Sequence, residues 1–298
     1  MPHGPDPTPP PARPLDAHKA SVGRVLVVGG SPGMAGAPFL CAWGALRAGA
    51  GLVRVATQAS VAPTVAGFAP EVMVLALPAS PEGALAPEAR NALLASSASS
   101  DVLVMGPGAG RHEGTRAVLL EVARHSEVAL VLDADALFGA TAKVRRQRGC
   151  TRPVVLTPHE GEAARLLEVP VEQVRADRLA AARRLAERTD ATIVLKGPGT
   201  LVVPAPDDGG EPWACAHGGP LLATGGTGDV LAGVLGALLA TGQDDAALAA
   251  RRAVAWHARA GDLLAQRLGV DRGVSAREVA DALPGALAAW RAAPGRTA

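Results

Sequence analysis

The sequence predicts an α/β fold: a mostly parallel central sheet, helices on both of its faces, and an antiparallel hairpin at one edge. Three observations carry this. Short runs such as Val25-Leu26-Val27-Val28 and Val102-Leu103-Val104-Met105 are wholly apolar and lack the alternation of a strand with one wet face. Such runs suit strands buried on both sides. They alternate with segments of helical spacing, as βαβ units do. Each run also ends in a cluster of Gly, Asp, His or Lys, as strands do when they feed loops instead of hairpins.

Taken in order, residues 24–30 read as a buried strand entering a Gly-rich turn, and 37–48 as a small-residue helix. Residues 52–56 and 72–75 read as the next strands. Residues 101–105 run into Gly106-Pro107-Gly108-Ala109-Gly110, followed by a helix near 115–124. Strand 129–132 enters Asp133-Ala134-Asp135, and strand 154–156 enters Thr157-Pro158-His159-Glu160-Gly161-Glu162, then a short helix through Leu167. Residues 171–188 have the period of one amphipathic helix. Strand 192–195 enters Lys196-Gly197-Pro198-Gly199-Thr200. Residues 201–203 and 213–215, separated by a polar Pro-flanked loop, read as the edge hairpin. Helices at about 228–241, 245–268 and 275–291 follow, the spacing of their apolar residues being the guide.

The 298 residues, 48% hydrophobic and 19% charged with a net charge of +1, can bury a large core and carry no basic stripe. Tyr is absent, Phe numbers 3 and Trp 4, too few for a base-stacking platform, so nucleic acid is not an expected partner. The three cysteines (Cys41, Cys150, Cys215) form no CxxC pair and suit reduced thiols in a cytoplasmic protein. Charged residues and Gly interrupt every apolar stretch before membrane-spanning length, so no membrane association is expected. Residues 1–17, opening Met1-Pro2-His3-Gly4-Pro5, lack a signal-peptide pattern and read as a Pro-rich disordered tail. With no shift of composition after it, residues 18–298 read as a single domain.

Ligands of open parallel sheets bind outside the carboxyl ends of the strands. Gly29-Gly30-Ser31, Gly106-Pro107-Gly108, Asp133/Asp135, His159/Glu162, Lys196-Gly197 and Gly228-Asp229 all fall at such ends or at helix starts. The last is the most informative. In Ala223-Thr224-Gly225-Gly226-Thr227-Gly228-Asp229, glycines free backbone amides to converge on an anion at a helix start. A carboxylate there repels phosphate, which suits a base that takes a proton from a hydroxyl meeting that phosphate. The plainer reading is an N-capping Asp. Each other loop also has a plain reading: Lys196–Thr200 as a tight turn, His159 as a helix-start residue satisfied by backbone, Asp133 and Asp135 as caps of the next helix. Against these stand phosphate contact by Lys196 and Thr200, a neutral His159 bonding substrate, and an aspartate facing a magnesium-bound phosphate. The cap is the preferred reading for Asp133 and Asp135. There is no G-x-G-x-x-G, no G-x-x-x-x-G-K-[ST] and no G-x-S-x-G; His159-Glu160-Gly161-Glu162-Ala163 lacks the second His of a zinc protease.

These motifs, with His18-Lys19, Gly36-Ala37-Pro38 and Arg47-Ala48-Gly49-Ala50-Gly51, occur in the order found in the ADP/ATP-dependent NAD(P)H-hydrate dehydratases. The chain resembles that branch of the ribokinase-like superfamily over about residues 18–290. The resemblance implies a ribokinase-like three-layer sandwich. It implies dehydration of the S-epimer of NADH hydrate and NADPH hydrate back to the working cofactor, as metabolite repair, with ADP (or ATP) consumed as co-substrate, releasing AMP and phosphate, and with Mg2+. Position by position, it implies that Ala37, Gly108, His159 and Asp229 contact the hydrate. Lys196, Gly197, Pro198, Gly199, Thr200 and Gly228 would bind the adenine nucleotide, and Asp229 would be the catalytic base. It names no metal ligands. A homo-oligomer is implied, a tetramer among the options, and the small residues Gly44, Ala45, Ala48, Gly233, Gly236 and Ala237 permit close packing, between chains or within one.

Ala20-Ser21, Met34-Ala35 and Phe138 depart from the family pattern on the substrate side. Many relatives carry an N-terminal epimerase domain; here only a tail precedes the motifs, so dehydration alone is expected. Two other readings stay open at this stage. One is a ribokinase-like kinase of a hydroxymethylpyrimidine or hydroxyethylthiazole type, which would release a phosphorylated alcohol. The other is a nucleotide sensor without turnover.

Overall fold

The computed structural model describes residues 4–139 and 151–293. Among these residues nine strands form one sheet: β1 (Arg24–Val28), β2 (Leu52–Gln58), β3 (Met73–Leu77), β4 (Val102–Met105), β5 (Ala129–Leu132), β6 (Val154–Leu156), β7 (Thr192–Leu195), β8 (Leu201–Val203) and β9 (Trp213–Ala214). Their order is β3-β2-β1-β4-β5-β6-β7-β8-β9. Pairing is parallel from β3 through β7 and antiparallel for β7–β8 and β8–β9. The strand order reverses between β1 and β4, the place where open α/β sheets leave a crevice.

The helices described are α1 (Gly36–Arg47), α2 (Ala62–Ala66), α3 (Ala89–Ser97), α4 (Glu113–His125), α5 (Glu160–Leu167), α6 (Val171–Ala176), α7 (Arg178–Thr189), α8 (Thr227–Ala240), α9 (Ala246–Leu268) and α10 (Ala276–Ala292). Alternation along the strands sorts the core into two layers. Val25, Val27, Val53, Val55, Val102 and Val104 face a cluster with α1, α8, α9 and α10. Leu26, Val28, Leu103, Met105, Leu130 and Leu132 face α3, α4, α5 and α7. This is the three-layer sandwich that the buried apolar runs require.

On the first face α1 and α8 lie close. A Cβ at Gly233 would stand 1.9 Å from the Cys41 carbonyl oxygen, and one at Gly44 would stand 2.5 Å from that of Val230. These small residues therefore serve a contact within the chain.

Four local expectations change. Residues 171–188 form two helices, because Asp177 leaves helical geometry (φ −144°, ψ 87°) and its carboxylate caps α7 through Ala180 N at 2.9 Å. An Asp side chain bonding its own backbone competes with helix continuation. The third strand is Met73–Leu77, set by pairing with Arg54–Gln58. Helices α2 and α3 had no counterpart in the reading of the sequence. The Pro-rich segment expected as a disordered tail lies, from residue 4, against the closing helices: Asp6 pairs with Arg259 (2.9 Å) and His217 (2.7 Å). Arg252 Nε donates to Thr8 O at 3.0 Å, and Arg291 to Pro10 O at 2.8 Å. Cys41 and Cys215 are buried free thiols; Cys150 lies outside the described residues. Among the described residues no helix is long and apolar enough to cross a membrane.

Candidate active site

The site is assembled where strand ends meet the start of α8. Gly226 stands at the N-cap with φ +94°, a conformation that Gly adopts without steric cost. Thr227 Oγ1 donates to the Leu222 and Thr224 carbonyls, each at 2.9 Å, which fixes the turn. Among the described residues no side chain caps this helix; the Thr227 N–H turns back to Thr224 O at 3.3 Å, and the amides around it lie at the positive end of the helix dipole.

Asp229, in the first turn, is partly buried and forms no hydrogen bond or ion pair among the described residues. Burial, followed by repulsion from Asp133, Glu162 and Asp135 and opposed by Lys196, pushes its carboxyl pKa up to about 7. The group is thus poised to exchange a proton near neutral pH.

Lys196, at the end of β7, lies against this turn: a Cβ on Gly228 would be 3.4 Å from Lys196 Nζ. The ammonium donates to Asp133 Oδ1 at 2.6 Å, and Asp133 is 1% exposed. Burial disfavours the lysine charge, but Asp133, Glu162 and Asp229 outweigh it, so its pKa is raised. Asp133 also accepts from Thr157 Oγ1 at 2.7 Å. Asp135 accepts from Gly110 N at 2.9 Å and pairs with Arg111 at 3.2 Å. The preferred reading of both aspartates as caps is therefore corrected: each carboxylate ties neighbouring strand-end loops together.

His159 starts α5 as an N-cap. Its Nδ1 accepts from Gly161 N at 3.0 Å and Glu162 N at 3.3 Å, while Glu162 accepts from His159 N at 2.8 Å. The accepting Nδ1 carries no proton, and Nε2 lies 3.4 Å from Glu162 Oε1 on a ring that is over half exposed. So the helix-start reading holds: both ring nitrogens face the first turn of α5, Nδ1 at its amides and Nε2 at Glu162. The β6 and β7 loops are joined by Lys196 N donating to Pro158 O at 2.8 Å.

Ala37 and Gly108 meet at the switch point: a Cβ on Gly108 would stand 3.0 Å from Ala37 Cβ. Beside them, Gly30 N donates to Pro107 O at 2.9 Å. The structure thus gathers Ala37, Gly108, His159, Lys196, Gly228 and Asp229 on the carboxyl rim of one sheet. Thr200 Oγ1 turns to Gly197 O at 2.9 Å within its own turn.

Two residues went unseen in the sequence. His257 on α9 is 7% exposed, its Nε2 is unpartnered, and burial pushes its pKa down to about 4, so it packs as a neutral ring. Arg178 reaches the 196–200 turn, yet its spacing reads as the solvated side of an amphipathic helix. Among the described residues no three His, Cys, Asp or Glu cluster to hold a metal. A cavity of 620 Å³ lies elsewhere, under the Pro-rich segment beside Arg47, Thr241 and Trp256, and contains none of the rim residues. The titratable groups and helix-start glycines converge at the rim and not in this cavity.

A sequence profile of the NAD(P)H-hydrate dehydratases matches residues 25–285. The ADP-dependent (S)-NAD(P)H-hydrate dehydratase of Neisseria meningitidis is 40% identical over 278 residues, covering 91% of this chain and 87% of the relative. The chain spans about half the length of the bifunctional NAD(P)H-hydrate repair enzymes it also matches, 51% of the one from Moorella thermoacetica at 40% identity. The ADP/ATP-dependent NAD(P)H-hydrate dehydratase of Bacillus subtilis, crystallised with ATP and Mg2+, superposes with a TM-score of 0.79 at 28% identity, covering 95% of each chain. A ribokinase from Cryptococcus neoformans, 18% identical with a TM-score of 0.57 over 89% of this chain and 99% of its own, shares the fold alone.

Proposed function

The chain belongs to the NAD(P)H-hydrate dehydratase family, and from this we propose that it returns the S-epimer of NADH hydrate or NADPH hydrate to the reduced dinucleotide at the expense of ADP. The observation that carries the reading is Asp229: a carboxylate without a partner among the described residues, with a pKa of about 7, beside uncapped helix amides.

Asp229 takes the proton of the ring hydroxyl, and that oxygen attacks the terminal phosphorus of the nucleotide. The bond from this phosphorus to the bridging oxygen breaks, and AMP departs. Amides of Gly226 and Gly228 and the Lys196 charge stabilise the phosphoryl oxygens, the Thr227 N–H being held by Thr224 O at 3.3 Å. Hydroxide has thereby become phosphate, a far better leaving group. The ring-nitrogen lone pair expels it, and loss of a proton from the adjacent ring carbon restores the double bond. Ala37, Gly108 and His159 line the hydrate side, and Lys196 to Thr200 with Gly228 the nucleotide side. Gly108 packs directly on Ala37 in this wall, and His159, half exposed beside Glu162, is its polar group toward the hydrate amide.

The donors here are hard oxygens, which fit Mg2+, but they form no three-residue cluster among the described residues. The ion fits as one carried by nucleotide phosphates that Gly226 to Gly228 cradle, where it supplies positive charge to the phosphoryl oxygens. A homo-oligomer, a cytoplasmic setting, and the absence of nucleic-acid or membrane partners belong to this proposal too; light scattering of the purified chain tests the first.

The deciding experiment incubates the chain with S-NADPH hydrate and ADP or ATP. Return of reduced-nicotinamide absorbance with equimolar AMP and phosphate supports the reading. A stable phosphorylated alcohol would favour a kinase instead.

A further inference from the structure

We propose that Arg178 is a positioning residue that shapes the 196–200 turn for nucleotide, an inference that rests on the reading of this turn as the nucleotide side. The side chain is 9% exposed although it starts a helix whose polar face is wet. Its guanidinium faces four carbonyls of one turn. Nη1 donates to Pro198 O and, at 3.4 Å, to Gly199 O. Nη2 donates to Leu195 O and Lys196 O, each at 3.3 Å. Nε lies 3.2 Å from Glu160 Oε1, and Glu160 Oε2 is held by Arg175 at 3.0 Å.

Drawing these carbonyls inward onto one planar cation leaves the opposite side of the turn to its amides. Among the described residues the N–H groups of Gly197 and Gly199 have no hydrogen-bond partner, and both glycines are exposed. Pro198 between them has no N–H, so the turn offers these two glycine amides as its anion donors. Gly197 is what lets the guanidinium come so near. Its φ is +141°, and a Cβ there would stand 2.8 Å from Arg178 Nη2. The Glu160 end of the pair ties the same turn to the start of α5, one residue from His159. With its Nη donors on protein carbonyls and its charge beside Glu160, Arg178 acts through the turn and touches no substrate. Lysine cannot replace this fork, because one ammonium is a point charge and cannot bridge carbonyls spread along a plane.

The test measures ADP binding by calorimetry and dehydration kinetics with ADP varied, using the full chain. Arg178→Met is expected to raise Kd and KM for ADP by about tenfold or more while kcat at saturating ADP falls less than about threefold. Arg178→Lys is expected between the two. A purely structural role would lower the active fraction, and hence kcat, at unchanged KM; that pattern overturns the proposal. If Arg178→Met does not fold, Arg178→Lys decides: a wild-type KM for ADP in that variant overturns it equally. Wild-type protein that binds no ADP refutes the reading of the turn itself, and this inference with it. Wild-type binding with unaltered variants refutes only the role of Arg178.

Discussion

Lys196 Nζ donates to Asp133 Oδ1 at 2.6 Å, bridging the ends of β5 and β7 across the intervening β6, beside the turn that carries Asp229. The two charges act on Asp229 in opposite senses: Asp133 raises its pKa and Lys196 lowers it. Their pairing therefore tunes the Asp229 carboxyl as well as joining the loops.

This gives the first prediction. The acid limb of kcat/KM should fall near the Asp229 pKa of about 7. Asp133→Asn should move it down, and Lys196→Met up, each by about one unit. A limb that stays fixed in both variants would mean that another group titrates.

Asp229→Asn keeps the shape of the side chain and removes the base. Turnover should drop by about 100- to 10,000-fold, the usual reach of general acid–base catalysis, while ADP affinity changes less than about threefold. Near-normal turnover in that variant would remove Asp229 from the mechanism.

The same carboxyl has a measurable effect on folding. Its pKa is about 7 in the folded chain against 3.8 for an ordinary aspartate. Between these values the folded state holds the proton and the unfolded state has released it. Stability therefore falls as pH rises from about 4 to about 7 and is level above that, a span on the order of 4 kcal/mol. Asparagine stays neutral throughout. Urea unfolding at about pH 4.5 and about pH 8 should show Asp229→Asn gaining on wild type mainly at the higher pH. An equal gap at both would contradict the raised pKa.

Gly233→Ala tests the α1–α8 contact. The new methyl would stand 1.9 Å from the Cys41 carbonyl oxygen, backbone that cannot swing aside. A loss of about 3 kcal/mol or more in chemical denaturation is expected from forcing the helices apart. A wild-type midpoint would show that the two helices separate freely.

Sequence pattern revealed the sheet because doubly buried strands leave an unmistakable composition; β1, β4, β5 and β7 appear at or within a residue or two of their expected ends. The edge hairpin was legible for a similar reason, since a polar loop divides two apolar runs. Helices α2 and α3 were not. Ala62–Ala66 is only five residues long, too short for a period to emerge, and Ala89–Ser97 buries only Ala89, Leu93 and Ser97. The break at Asp177 was hidden because the apolar spacing runs on across it. Glycine-rich turns betrayed the rim, but the partners within it did not show. Asp133 and Lys196 are 63 positions apart, and only the closed sheet makes them neighbours. The Pro-rich segment misled through composition: proline lacks an N–H, yet its carbonyl accepts from Arg291 as well as any other.

With strand order reversing at β1 and β4, the candidate rim is fed by early and late stretches of the polypeptide alike. No single stretch of the chain holds Asp229, Asp133, Lys196 and Gly108 together, since they meet only when distant segments have closed. Heat inactivation should consequently run in step with cooperative melting of the entire body, and an enzymatic readout doubles as a gauge of how many molecules have reached their final shape.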